Sequence, residues 1–158
     1  MDHGRTEEEL NMVIAFGADH GGYRLKNALI EFARSEGYQV IDFGVNSDDS
    51  ADYPDYARAV GEAIVSGRAQ FGVLICRTGA GMCISANKIH GIRAVMAYQP
   101  EIARLSRLHN HANVLCFGAD FTTVESAKEI LKTFLETPSS DDLRHLRRVE
   151  KIMKLESW

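Results

Sequence analysis

Cys76, Thr78, Gly79 and Gly81 follow the apolar run Phe71–Ile75 in the stretch FGVLICRTGAGMCISANK. The run reads as a buried strand ending in a thiol, and the glycine turn reads as the entry to a short helix. A thiol, a hydroxyl and several unpaired backbone N–H groups then stand at the carboxyl end of one strand, the edge at which open α/β sheets bind ligands. Free N–H groups and the helix dipole both attract negative charge, and the same features favour a thiolate over a thiol. The loop does not match the common phosphate loops. A cysteine phosphatase would carry arginine six positions after Cys76, where Met82 stands. Gly17 to Gly22 is followed by Tyr23-Arg24 instead of a Walker A ending, and a dinucleotide fingerprint read from Gly79 fails at Ile84. The loop suits a small anionic or polyhydroxy ligand, with a tight turn around an inert cysteine as the alternative.

Three further groups could join this chemistry. Asp19 and His20 lie among glycines after the first apolar run. They fit a polar ligand, although Asp19 could simply cap the next helix. His109 and Asn110 close a helix, where an imidazolium is also favourable for structural reasons alone. Arg144 and Arg148 are four apart on the last helical segment and share a face. Two guanidinium forks can hold a phosphate, or form a solvated basic face. No Cys/His cluster has zinc spacing, so no metal is expected, and no cofactor either.

The elements that would position these groups alternate from end to end. Strands are expected at Met12–Phe16, Tyr38–Phe43, Phe71–Cys76, Ile92–Ala97 and Asn113–Phe117, as near-continuous apolar runs buried on both faces. Residues 23–36 place Leu25, Ala28, Leu29, Phe32 and Ala33 on one helical stripe. Pro54 and Pro100 open two more helices. Thr122-x-x-Glu125 and Ser139-x-x-Asp142 look like N-terminal boxes for helices running to Leu135 and from Asp141 to Glu156. The pattern predicts one three-layer, doubly wound, Rossmann/flavodoxin-like α/β domain over residues 12–158. It has a five-stranded parallel sheet beginning in the order 2-1-3, an extra C-terminal helix and a polar tail at 1–11.

The chain has 158 residues, 45% of them hydrophobic, a net charge of −4 and a pI near 5.8. That is an ordinary single-domain mixture, without the basic footprint of non-specific nucleic-acid binding. No apolar run is long enough to span a membrane. Three cysteines without a C-x-x-C pair suit a reducing cytosol and disfavour a thiol redox protein. Cys83 and Cys116 read as packing residues.

Asp19-His20-Gly21-Gly22, Asp52-Tyr53-Pro54-Asp55-Tyr56-Ala57, Ile75-Cys76 with Thr78-Gly79-x-Gly81-Met82, Ser85-Ala86-Asn87-Lys88, Gly91-Ile92-Arg93, Ser106-Arg107-x-His109-Asn110 and Arg144-His145 with Arg148 occur in this order. On these motifs, from Met12 to about Glu156, the chain resembles the ribose-5-phosphate isomerase B family, which is related to galactose-6-phosphate isomerase. The resemblance implies a metal-free aldose–ketose isomerisation of a sugar phosphate. Cys76 would match the base, and Thr78 with the Gly79–Gly81 N–H groups would stabilise an enediolate. His109 would match the ring-opening residue. Asp19, His20, Tyr53 and Asn110 would match substrate contacts, and Arg144 and Arg148 the phosphate ligands. It also implies a homodimer or homotetramer whose sites combine residues of two subunits.

Two positions depart from the family pattern: Arg77 stands where glycine follows the cysteine, and Asp120 where an arginine follows the end of strand five. They leave open a tetrose 4-phosphate, allose 6-phosphate or galactose 6-phosphate as substrate, or a non-catalytic sugar-phosphate sensor if Arg77 fills the pocket.

Overall fold

The computed structural model describes residues 6–157. Its strands are β1 (Val13–Ala18), β2 (Gln39–Asp42), β3 (Phe71–Cys76), β4 (Ala94–Met96) and β5 (Val114–Gly118). Its helices are α1 (Glu7–Leu10), α2 (Tyr23–Ser35), α3 (Tyr53–Val65), α4 (Ala80–Ala86), α5 (Pro100–Asn110), α6 (Val124–Glu136) and α7 (Leu143–Lys154). All strand pairs are parallel, in the order β2-β1-β3-β5-β4. The expected 2-1-3 beginning is present, so β1 and β3 flank the point where the winding reverses. At the other end β5 lies inside and β4 outside.

Alternation along the central strands builds two cores. Ile14, Phe16, Val73, Ile75, Leu115 and Phe117 face α2, α5 and α6. Ala15, Leu74, Cys76, Val114 and Cys116 face α3 and α4. Successive strand side chains point to opposite faces; this puts the sulfur of Cys76 on the α3–α4 side, above the carboxyl edge.

Burial on both faces holds for β1, β3 and β5. It does not hold for the edges. β2 is half-exposed along its length, and only Ala94 of β4 is buried, because each has a neighbour on one side only. The α2 stripe also differs from expectation. Its buried residues are Leu25, Lys26, Leu29, Ile30 and Ala33, while Ala28 and Phe32 are half-buried.

Two helix starts move by one or more residues. The cap of α6 is Thr123, whose hydroxyl accepts from the Ser126 N–H, whereas Thr122 Oγ1 is buried without a hydrogen-bond partner. The cap of α7 is Asp142, whose carboxylate accepts from the Arg144 N–H. A carboxylate that bonds the nearest free N–H ends the search for a cap before Ser139 can serve. Part of the expected tail, residues 1–5, lies outside the described residues. Thr6 and Glu9 cap the single turn α1 reciprocally. Among the described residues no helix is long and apolar enough to cross a membrane.

Candidate active site

The carboxyl ends of β1 and β3 and the start of α3 enclose a cleft of about 680 Å³. Asp19, His20, Tyr53, Cys76, Thr78 and Gly81 line it together. Six of the residues singled out from the sequence, drawn from three separate stretches of chain, are therefore neighbours.

The loop after β3 is shaped by Gly79, which caps α4 with φ +83°. A methyl there would meet the Gly118 and Phe117 backbone at 3.0 Å, so both the left-handed backbone and the space demand glycine. In this conformation the Gly79 N–H donates to Cys76 Sγ at 3.2 Å. A donor aimed at the sulfur stabilises negative charge on it. Thr78 Oγ1 accepts from the Ala80 N–H at 3.3 Å. Gly81 lies under the ring of Tyr53, where a methyl would come within 2.6 Å of Tyr53 Cζ.

The opposite wall follows β1. Asp19 is buried; its N–H donates to Ile75 O at 3.2 Å and its carboxylate accepts from the Gly21 N–H at 2.9 Å. His20 Nδ1 accepts from the Ala51 N–H at 3.2 Å, which fixes Nε2 as the protonated nitrogen when the ring is neutral. Ser50, Asp52 and Asp55 complete this wall. Their signal in the sequence was their position around Tyr53 at a helix start, where acids are also expected for the dipole alone.

Arg77 also lines the cleft. A methyl on Gly21 would meet its Cγ at 2.5 Å, so the arginine stem lies flat on that glycine. Its guanidinium faces Asp120, at 3.8 Å.

His109, Asn110, Arg144 and Arg148 do not line this cleft. They gather where α5 ends against α7. The rings of His109 and His145 stack with centroids 4.3 Å apart and planes at 22°. His145 is lowered from its usual value, first by desolvation and then by His109, with the charges of Arg144 and Arg148 adding to the effect. Arg144 bonds Asp142, which holds that carboxyl down at about 2. The end of α5 is pinned from below. Arg93 Nε donates to Asn110 O and His111 O at 3.1 and 3.0 Å, and Arg107 Nη1 donates to Ala112 O at 2.6 Å. Burial, then Arg93, lowers Arg107 to about 10. Asn110 lines a second cavity of about 610 Å³ with Arg93, Lys88 and Ile152.

Cys83 and Cys116 stay out of the Cys76 cleft. The proximity of the two thiols lowers Cys83 and, together with burial, raises Cys116, while Cys83 Sγ donates to Ala94 O at 3.5 Å. Lys26, unremarked in the sequence, is fully buried beneath the cleft wall. Its signal was its place four residues before Ile30 inside the apolar stripe of α2.

Comparison with known proteins places the chain in a family. The Ribose/Galactose Isomerase family profile matches residues 14–152. Ribose-5-phosphate isomerase B of Escherichia coli is 44% identical over 143 residues, covering 90% of this chain and 95% of that protein. The solved ribose-5-phosphate isomerase B of Clostridium thermocellum is 43% identical, with a TM-score of 0.90, covering 92% of this chain and 98% of that one. The type B ribose 5-phosphate isomerase of Leishmania infantum is 42% identical, with a TM-score of 0.89 over 93% and 97% of the two chains. With a profile match over most of its length and close relatives spanned almost entirely, the chain belongs to the ribose/galactose isomerase family.

Proposed function

We propose that this protein interconverts ribose 5-phosphate and ribulose 5-phosphate, with Cys76 as the base. The observation that carries the reading is Cys76 Sγ held by the Gly79 N–H in a cleft walled by Asp19, His20, Tyr53 and Thr78. Ring opening moves the anomeric hydroxyl proton to the ring oxygen through His109. The Cys76 thiolate then takes the C2 proton of the open aldose. The C2–H electron pair becomes the C1–C2 double bond, and the carbonyl pair moves to O1. Thr78 and the N–H groups of the Gly79–Gly81 turn stabilise that oxygen. Return of the proton to C1, with transfer of the O2 proton to O1, gives the ketose. C1 is reduced and C2 oxidised within one molecule, so no external electron acceptor is needed.

The cleft is acidic apart from Arg77 and His20: Asp19, Asp52 and Asp55 all line it. Carboxylates accept from sugar hydroxyls and repel a phosphate. The phosphate end needs cations, and Arg144 and Arg148 supply them on α7. These residues, with His109 and Asn110, would complete the site from a second copy of the chain. The apolar stripe of α7 supports this. Val149 is buried on its own chain, whereas Leu143, Leu146, Ile152 and Leu155 are exposed. A homodimer, or a tetramer of such dimers, would cover that stripe and bring the two halves together. Three free thiols suit a cytoplasmic setting.

The test is an isomerase assay with EDTA present across four-, five- and six-carbon aldose phosphates. Turnover of ribose 5-phosphate above the others supports the reading. Preference for a tetrose 4-phosphate, allose 6-phosphate or galactose 6-phosphate would change the sugar and keep the reaction. No turnover of any would make the protein a sensor.

A further inference from the structure

We infer that Lys26 is the positioning residue of the sugar-binding wall, tying both of its segments to one buried charge; its kinetic test rests on the isomerase reading. Lys26 is 0% exposed. An ammonium has three N–H donors, and each finds an oxygen: Asn27 Oδ1 at 2.8 Å, Asp42 Oδ1 at 2.8 Å and Asn46 Oδ1 at 2.9 Å. A buried cation without partners is very unfavourable, so the three oxygens are held firmly around it.

Two of these oxygens belong to the chain leaving β2, and their constraint reaches the cleft by two routes. Asp42 Oδ1 also accepts from the Gly44 N–H at 2.9 Å. Gly44 O accepts from the Ala18 N–H, and the Val45 N–H donates to Ala18 O, both at 2.8 Å. The turn thus grips Ala18 from both sides, one residue before Asp19 and two before His20. The second route runs forward. From Asn46 the chain passes, as neither helix nor strand, to Ala51, whose N–H holds His20 Nδ1. It continues to Asp52, Tyr53 and Asp55, which also line the cleft. Side-chain ties set the place of such a segment, and here the exposed Asp42 and Asn46 are both anchored to an ammonium that is itself fully buried. The loop of Cys76 and Thr78 depends instead on β3 and α4. Lys26 therefore governs where the sugar is held and leaves the base undisturbed.

Three variants test this: Asn46→Ala, Lys26→Met, and the double variant Lys26→Met/Asp42→Leu, in which apolar groups replace the ion pair. Thermal midpoint, hydrogen exchange at the Ala51 and Val45 amides, and kcat and KM for ribose 5-phosphate are measured. Asn46→Ala removes only the loop's tie and should melt within about 4 °C of the parent. Its Ala51 amide should exchange about tenfold faster or more. KM should rise about tenfold with kcat within about threefold, the pattern of lost binding rather than lost chemistry. The double variant should melt no higher than Lys26→Met, because Asp42 is exposed and its loss also removes the acceptor of the Gly44 N–H, and it should keep the raised KM. Parent-like Ala51 exchange and KM in Asn46→Ala would overturn the inference, as would faster exchange with unchanged KM. A Lys26→Met chain that fails to fold leaves Asn46→Ala to decide. Absence of ribose 5-phosphate turnover in the parent would sink the isomerase reading alone, since the exchange measurement still decides whether Lys26 fixes the wall.

Discussion

Arg77 and Asp120 are joined twice: Arg77 Nη1 stands 3.8 Å from Asp120 Oδ2, and the Asp120 N–H donates to Arg77 O at 3.0 Å. The two positions that depart from the family pattern thus meet across the cleft rim. Both side chains are about half-exposed, at 61% and 49%, so the ion pair contributes on the order of 0.2–1 kcal/mol. Arg77→Gly and Asp120→Ala should have similar small effects on stability and KM, and the double variant should cost little more than either. A double-mutant cycle checks this. A large rise in KM for Arg77→Gly with a silent Asp120→Ala would make the arginine a substrate ligand. Isomerase activity gained only on Arg77→Gly would make the parent a sensor.

Cys76→Ala should lose roughly 10²–10⁴ or more in kcat while binding sugar phosphate nearly as well by calorimetry. Cys83→Ala and Cys116→Ala should stay active, because neither thiol lines the cleft. Continued exchange of the substrate C2 hydrogen with solvent in Cys76→Ala would remove the cysteine from the role of base.

His109→Asn should impair ribose 5-phosphate far more than erythrose 4-phosphate, which cannot close a furanose ring through its phosphorylated carbon. The two substrates are compared in the same variant. Equal losses would assign His109 to supporting the α5 end, where it stacks on His145.

Arg144→Ala and Arg148→Ala should each weaken substrate binding by about 1.5–3 kcal/mol, with inorganic phosphate becoming a poorer competitive inhibitor. A pH effect accompanies this. His145 is lowered by desolvation, then by His109 and the nearby arginines, so in the free protein it titrates below its usual value. A bound phosphate adds negative charge and should raise it. By linkage, binding takes up protons and phosphate inhibition strengthens as pH falls through that window, apart from the phosphate's own titration. An NMR titration of His145 with and without phosphate measures the shift, and an unmoved His145 would place the anion elsewhere.

Gly81→Ala should raise KM with little loss of stability, because the added methyl pushes on the partly exposed Tyr53 ring. Gly79→Ala should do worse. It strains a left-handed residue and presses on the fixed backbone of Phe117 and Gly118, so both thermal midpoint and kcat should fall. Parent-like behaviour of Gly79→Ala would mean that the turn relaxes without moving the Gly79 N–H from the sulfur.

The central strands were legible because residues such as Val73 and Leu74 are apolar on both faces, a pattern only a doubly covered sheet explains. The edges misled: β2 and β4 carry the same apolar signal but lack a second neighbour. The Cys76, Asp19 and Tyr53 groups could be read as one site because topology puts strands one and three side by side. The caps could not be fixed, since Thr122 and Thr123 are chemically alike and only backbone geometry selects between them. Lys26 escaped notice because a lysine inside an apolar stripe has no meaning until Asp42 and Asn46 fold over it. That His109 and Arg144 would stand apart from Cys76 follows from where α7 packs, which no local pattern encodes.

The partition of chemistry between the β1–β3 cleft and the α5–α7 cluster has a genetic consequence under the proposed shared site. A Cys76→Ala chain and a His109→Asn chain would each be inactive alone. Mixed, they would form hybrids in which one of two sites inherits both defects and the other inherits neither. Two null alleles would then rescue each other, to a ceiling of one working site in every hybrid pair.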